Sequence, residues 1–181
     1  MKYGDGFWVV KDGKRLADRR FAYPELQPFE YDDGTGDVGW FTLAPFTFDY
    51  VKPGDSSGMA WRFTVAGCRN PTLATSFDFD GASVPQCKLI RPLVRDKMDH
   101  RWIVPAYGHD LGYCVHGFGT GFTKADWDRF LLEVAEAYGA NWADRNKYWG
   151  VVAAVGGFAW SKTPKETEHY CDLVTVARVA I

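Results

Sequence analysis

The chain has 181 residues, of which 46% are hydrophobic and 17% aromatic, and its formal net charge is −2. That much apolar surface can close a packed core, which excludes bulk disorder, and the length fits one domain, 1–181. No basic stretch dominates, so the electrostatic footprint expected of a nucleic-acid-binding protein is absent.

The opening segment, "MKYGDGFWVVKDGKRLADRR", has no long apolar run, so no secretory signal peptide is expected. "GDGFW" is too short and too isolated to form a phosphate loop. The stretches "GFWVVKDG", "VGWFTLAPFTFDYV" and "GMAWRFTVAG" read as strands. The polar, glycine-bearing stretches "KDGK", "YDDGTGDVG" and "KPGDSSG" between them read as turns. This texture defines a strand-rich part, 1–75. A motif-bearing helical part follows, 76–165, and then a tail element, 166–181.

The first predicted helix covers about 104–116, with Pro105 in its first turn, where a missing N–H costs nothing. His109 and Tyr113 lie four residues apart and share a face. Gly117, Gly119 and Gly121 break this helix. Thr123 with Asp126 resembles a capping box opening a second helix. Its buried stripe is Trp127, Phe130, Leu131, Val134, Ala135 and Tyr138, and Gly139 is the stop. A last helix, about 142–160, is expected to carry Tyr148, Val151, Val152, Val155 and Phe158 inward. "YWGVVAAVGGFAW" within it holds three glycines and is too short to span a bilayer, so no transmembrane segment is expected. "CDLVTVARVAI" reads as a closing strand or a short helix. The fold class is therefore α+β, an N-terminal antiparallel strand-rich half packed against a C-terminal bundle of about three helices.

Two stretches carry the chemistry. In "AYGHDLGYCVHGFGTGFTKADWDRF", Asp126 has a capping role, whereas Asp128 sits at the edge of the buried stripe. A carboxylate there needs a partner, because an isolated buried charge is very costly. His109, on the neighbouring helix, is the candidate. A histidine whose second ring nitrogen is held by a carboxylate has a fixed tautomer and can serve as a general base. Asp110 points about 100° away around a helix, so it could face a cation while His109 faces a water. The other reading makes His109 and Asp128 a satisfied structural pair. The second stretch is "SFDFDGASVPQ" at 76–86. A hard cation takes carboxylate and carbonyl oxygens, and Asp80 with the Gly81 turn could supply them, completed by Asp110. Otherwise Asp80-Gly81 is a tight turn.

In this order, F-x-F-D-G-A-S-V-P, H-D-x-x-Y, W-D-R-F and the aromatic-ended "VVAAVGGFAW" resemble an uncharacterised domain family of tailed bacteriophages and prophages. The resemblance covers roughly 40–161. It implies a phage setting: a place in the virion, as a tail or baseplate component among virion proteins, or in the host bacterial cytoplasm against a host factor. More distantly, "DGASVP", "HDLGY" and "WDRF" resemble the prokaryotic secreted phospholipases A2. That likeness implies hydrolysis of a phospholipid or another ester. His109 would activate water, with Asp128 orienting it and Tyr113 bonding to Asp128. Asp80, Gly81 and Asp110 would hold calcium, which would polarise the ester carbonyl. Those enzymes carry cysteine where this chain has Ala82 and arginine where it has Gly108, and they lack the strand-rich half.

The remaining polar and aromatic residues read as structural. Cys68, Cys87, Cys114 and Cys171 form no C-x-x-C pair, which argues against a zinc ribbon and against a thioredoxin-type site. They read as buried thiols, while three disulfide pairings stay open. His116 reads as an exposed cap, and His100 and His169 as surface residues. Trp142, Trp149 and Trp160 could form part of a partner surface.

Overall fold

The computed structural model describes residues 9–11, 14–15, 24–30, 38–67, 78–79, 101–116, 118–162 and 173–180. Among them the chain is α+β. Strands β1 (Val9–Lys11), β2 (Lys14–Arg15), β3 (Leu26–Glu30), β4 (Val38–Thr42), β5 (Phe46–Tyr50), β6 (Met59–Val65) and β7 (Asp78–Phe79) come first. Helices α1 (Ile103–Cys114), α2 (Lys124–Ala137) and α3 (Trp142–Lys162) follow, and β8 (Val174–Ala180) comes last. The tail element is thus a strand rather than a helix. It returns to the sheet and pairs along the whole of β6, from Val65 with Val174 to Met59 with Ala180.

One sheet has the order β2-β1-β5-β6-β8 and the other the order β3-β4-β7. The ladders are antiparallel, as expected, except that β1 runs parallel to β5. The stretch 38–51, read as one strand, forms two strands in different sheets. Leu43, Ala44 and Pro45 separate them. The Leu43 N–H donates to the Glu25 carbonyl at 2.8 Å, and Pro45 has no N–H to give. Gly67 packs on this connector so closely that a Cβ would lie 2.5 Å from the Leu43 carbonyl oxygen. Pro28 is tolerated in β3 because that strand lies at a sheet edge.

Alternation along β5 turns Phe46, Phe48 and Tyr50 to one face, opposite Val65, Phe63 and Trp61 of β6. The helices cover that face. Phe48 meets Phe130 at 5.3 Å, Phe46 meets Tyr107 at 5.3 Å, and Phe63 meets Trp127 at 5.1 Å between ring centroids. All six rings are essentially fully buried. On the opposite face of the sheet, fully buried Asp49 takes two bonds from Arg62, at 2.9 and 3.0 Å. Glu133 of α2 is also buried, and it accepts from Tyr50 Oη at 2.9 Å and from Arg129 Nε at 2.6 Å. Buried carboxylates on both faces are therefore matched with donors, as their desolvation requires.

Helix α2 forms as its sequence indicates. Thr123 is the N-cap and completes a capping box with Asp126, whose Oδ2 accepts from the Thr123 N–H at 2.8 Å. Trp127, Phe130, Leu131, Val134, Ala135 and Tyr138 are all buried. The helix ends before Gly139, whose φ of 90° places it in the left-handed region that favours glycine. In α3, Tyr148 stacks on Trp102 with centroids 3.8 Å apart, and Val152 packs on the core. Val151 is half-buried, and the side chains of Val155 and Phe158 lie outside the described residues.

Helices α1 and α2 cross at two glycines. A Cβ at Gly108 would lie 2.4 Å from the Phe130 ring, and one at Gly112 would lie 2.0 Å from the Trp127 indole. The contacts 108 with 130 and 112 with 127 run in opposite order, so the two helices are antiparallel. Gly112→Ala is expected to overpack this crossing and cost about 1–3 kcal/mol. Gly150→Ala is the control. Gly150 is exposed in α3, its Cβ would meet nothing within 4 Å, and alanine is expected to add roughly 1 kcal/mol there. Urea midpoints of the two variants check this; a Gly112→Ala midpoint as high as that of Gly150→Ala would overturn the crossing argument.

Candidate active site

The antiparallel crossing sets a row of polar side chains beside the row of glycines. His109 and Tyr113, one turn apart on α1, face Asp128 on α2. His109 Nε2 lies 3.2 Å from Asp128 Oδ1, and Tyr113 Oη donates to the same oxygen at 2.9 Å. Lys124, one turn before Asp128, donates to its other oxygen, Oδ2, at 2.5 Å. Helix α3 forms the roof. The Val152 carbonyl accepts from Lys124 Nζ at 3.3 Å, and Trp160 packs edge-on against Tyr113 with centroids 5.1 Å apart. His109 and Asp128 are 8% and 7% exposed, so their contact is shielded from bulk water.

Asp110 does not point away from His109. Its Oδ1 lies 3.4 Å from His109 Nδ1, where a water was expected. That distance exceeds the ordinary range for such a bond. Asp110 is also much more exposed than Asp128, with 35% of its side chain accessible against 10%. Asp128 is thus the buried carboxylate of the site and Asp110 the more accessible one.

Burial acts against the charged form of His109, but the carboxylates of Asp110 and Asp128 outweigh it, and the imidazolium is held above its ordinary value. Burial also acts against the charged form of Asp128. There the bonds from His109, Lys124 and Tyr113 outweigh it and hold the carboxyl below its ordinary value. Burial and the Asp128 charge push the Tyr113 hydroxyl up, so it remains a donor.

The sequence reasoning paired His109 with Asp128, and the structure brings these two together with Tyr113. Asp126 does not take the place of Asp128, because it is engaged in the cap. Asp80 and Gly81 lie outside the described residues, and so does any calcium site that they would build with Asp110. Among the described residues no group of three or more His, Cys, Asp or Glu side chains converges as metal ligands. Lys124 was missed, although its spacing from Asp128 is legible in "KADWD". His116 does cap the end of α1, its Nδ1–H donating to the Tyr113 carbonyl at 2.8 Å, but it is half-buried rather than exposed, and its ring stacks on Trp160 at 4.1 Å. Trp142 and Trp149 are 74% and 48% exposed, while Trp160 packs on the site. His100, His169, Cys68, Cys87 and Cys171 lie outside the described residues, and Cys114 is half-buried. No described helix is long and apolar enough to cross a membrane. No protein-family model, curated protein or solved structure matches the chain.

The two shifts fix the sign of a pH effect. His109 titrates higher in the folded chain than its ordinary 6.5. Its contribution to stability is therefore complete below that value and is lost as pH rises through the folded value. Asp128 titrates below its ordinary 3.8, so its contribution is complete above that value and is lost as pH falls through the lower folded value. The pair stabilises most between 3.8 and 6.5. Melting temperature is expected to fall as pH is raised from about 6 to about 9, and His109→Gln is expected to flatten that fall. Parallel curves for the two proteins would show that the pair contributes no pH dependence.

Proposed function

We propose that this chain is a phage-associated ester hydrolase with a phospholipase-A2-like His-Asp site, calcium-dependent, with phospholipid as the nearest substrate class. The observation that carries the reading is the single oxygen of Asp128 shared by His109 Nε2 and Tyr113 Oη. Such a carboxylate holds the Nε2–H tautomer, orients the ring, and leaves Nδ1 as the basic nitrogen.

In this mechanism Asp110 turns off Nδ1 and a water takes its place. His109 removes a proton from the water as the water oxygen attacks the ester carbonyl. Asp128 stabilises the imidazolium that forms. The same proton then passes to the departing alkoxide as the C–O bond breaks, giving an acid and an alcohol. Asp110 is suited to a hard cation, being an oxygen donor at the mouth of the site, 35% accessible. Asp80 and the Gly81 carbonyl would complete that site. Bound calcium would supply Lewis-acid polarisation of the carbonyl and stabilise the oxyanion. The phage setting, in the virion or in the host cytoplasm, rests on the D-G-A-S-V-P and H-D-x-x-Y resemblance.

A second reading is a non-catalytic virion component or host-factor-binding protein. It is favoured by the exposure of Trp142 and Trp149, seven residues apart on one face of α3. It is also favoured by the number of donors on Asp128, which would suit a purely structural carboxylate. The deciding assay uses phospholipid and simple ester substrates with and without calcium. His109→Ala is expected to lower the rate by about 10²–10⁴-fold and leave the fold intact. A wild-type protein that hydrolyses no ester, with His109→Ala only melting earlier, would establish the second reading instead.

A further inference from the structure

We propose that Lys124 is a positioning residue: anchored under α3, it fixes Asp128 Oδ2 so that Oδ1 stays on His109. The rate effect of this role rests on the reading of His109 as a general base, but the positioning itself does not.

Local physics argues against a lysine in this position. Lys124 is the first residue of α2, where the helix dipole disfavours a cation. Lysine followed by an acid four residues later is the weaker order for a helical ion pair. Holding a long side chain in one geometry also costs conformational entropy. Even so, Nζ is held at 2.5 Å from Asp128 Oδ2 and 3.3 Å from the Val152 carbonyl, and only 22% of the side chain is accessible.

Gly156 is a second local exception at the same spot. Glycine is the least favourable residue in a helix interior apart from proline. Here a Cβ would lie 2.6 Å from Tyr113 Oη and 3.1 and 3.2 Å from Lys124 Cε and Nζ. The backbone of α3 therefore approaches two of the three donors that hold Asp128, Tyr113 and Lys124, as closely as a missing side chain allows. Departures from local preference that converge on one group are expected where a functional or structural requirement overrides them.

That requirement is orientation. Asp128 Oδ1 already has two donors, His109 and Tyr113. Without a partner on Oδ2 the carboxylate could rotate about its Cβ–Cγ bond and weaken its hold on His109. An ordinary exposed pair of this spacing is loose and contributes little. Lys124 differs because its second partner is the backbone of another helix, so the docking of α3 sets where Nζ sits. Through it, α3 sets the orientation of the histidine.

The test uses the full chain with two variants. Lys124→Met keeps the length of the stem and removes the donor; Gly156→Ala keeps Lys124 and crowds both Tyr113 Oη and Lys124 Nζ. Nitrogen-15 NMR of the His109 ring, at a pH where it is neutral, reads the tautomer, and ester hydrolysis with calcium present reads kcat and KM. Wild type is expected to show one tautomer, protonated at Nε2. Both variants are expected to show a mixture, with kcat lowered about 10- to 100-fold and KM changed less than about twofold. Gly156→Ala should do this even though alanine favours the helix, and Lys124→Leu supplies the reading specific to Lys124 if Lys124→Met does not fold. Wild-type tautomer and kcat in a folded variant, with only an earlier melt, would overturn the proposal and leave Lys124 a structural counter-ion. If wild type hydrolyses no ester, the general-base reading fails, and the tautomer comparison alone decides the role of Lys124.

Discussion

An ionised carboxylate on the inner edge of α2 must be supplied with donors, because leaving it unpaired away from water would cost several kcal/mol, roughly as much as a small domain's stability margin. Asp128 takes its donors from two helices, and a third helix holds one of them in place. These bonds fix the axial register of α1 on α2, since His109 and Tyr113 reach one oxygen only at one setting. They also fix where α3 may lie, because the approach at Gly156 has no slack. A polar network of this kind specifies a unique packing when every member is satisfied. The same network holds the histidine ring in one orientation, with Nε2 toward Asp128 and Nδ1 toward Asp110.

Much of this was legible in the sequence. The stripe of α2, its capping box and its glycine stop are local features, and local features can be read from spacing alone. Once Asp126 was assigned to the cap, the burial of Asp128 and its need for His109 followed from counting along one face. What could not be read depends on contacts distant in sequence. The break of 38–51 into two strands depends on Gly67 packing against the connector at Leu43 and Ala44. The tail could not be assigned to a strand or a helix until β6 was available to pair with it. The lean of Asp110 toward His109 is a side-chain choice that helical angles do not determine. Helix α3 has little contrast between its faces, so the packing of Trp160 and the exposure of Trp142 looked alike from the sequence.

The glycine at position 108 follows from the packing of α1 against the aromatic layer on the sheet. Phe130 occupies the space in which a side chain would begin, and Phe48 of β5 lies just beyond, 3.4 Å from that Cβ position. A longer residue would separate α1 from the aromatic layer that joins the helices to the strands. Helix α1 therefore carries two rows with different obligations. Gly108 and Gly112 let the rings of Phe130 and Trp127 come up to its backbone. His109 and Tyr113, each one residue further on, meet Asp128. The first row sets the distance between α1 and α2, and the second row uses it. The contact of 3.2 Å between His109 and Asp128 exists because two glycines admit two aromatic rings beside it. In this chain the geometry of the polar site is thus a consequence of how closely the hydrophobic core lets its helices approach.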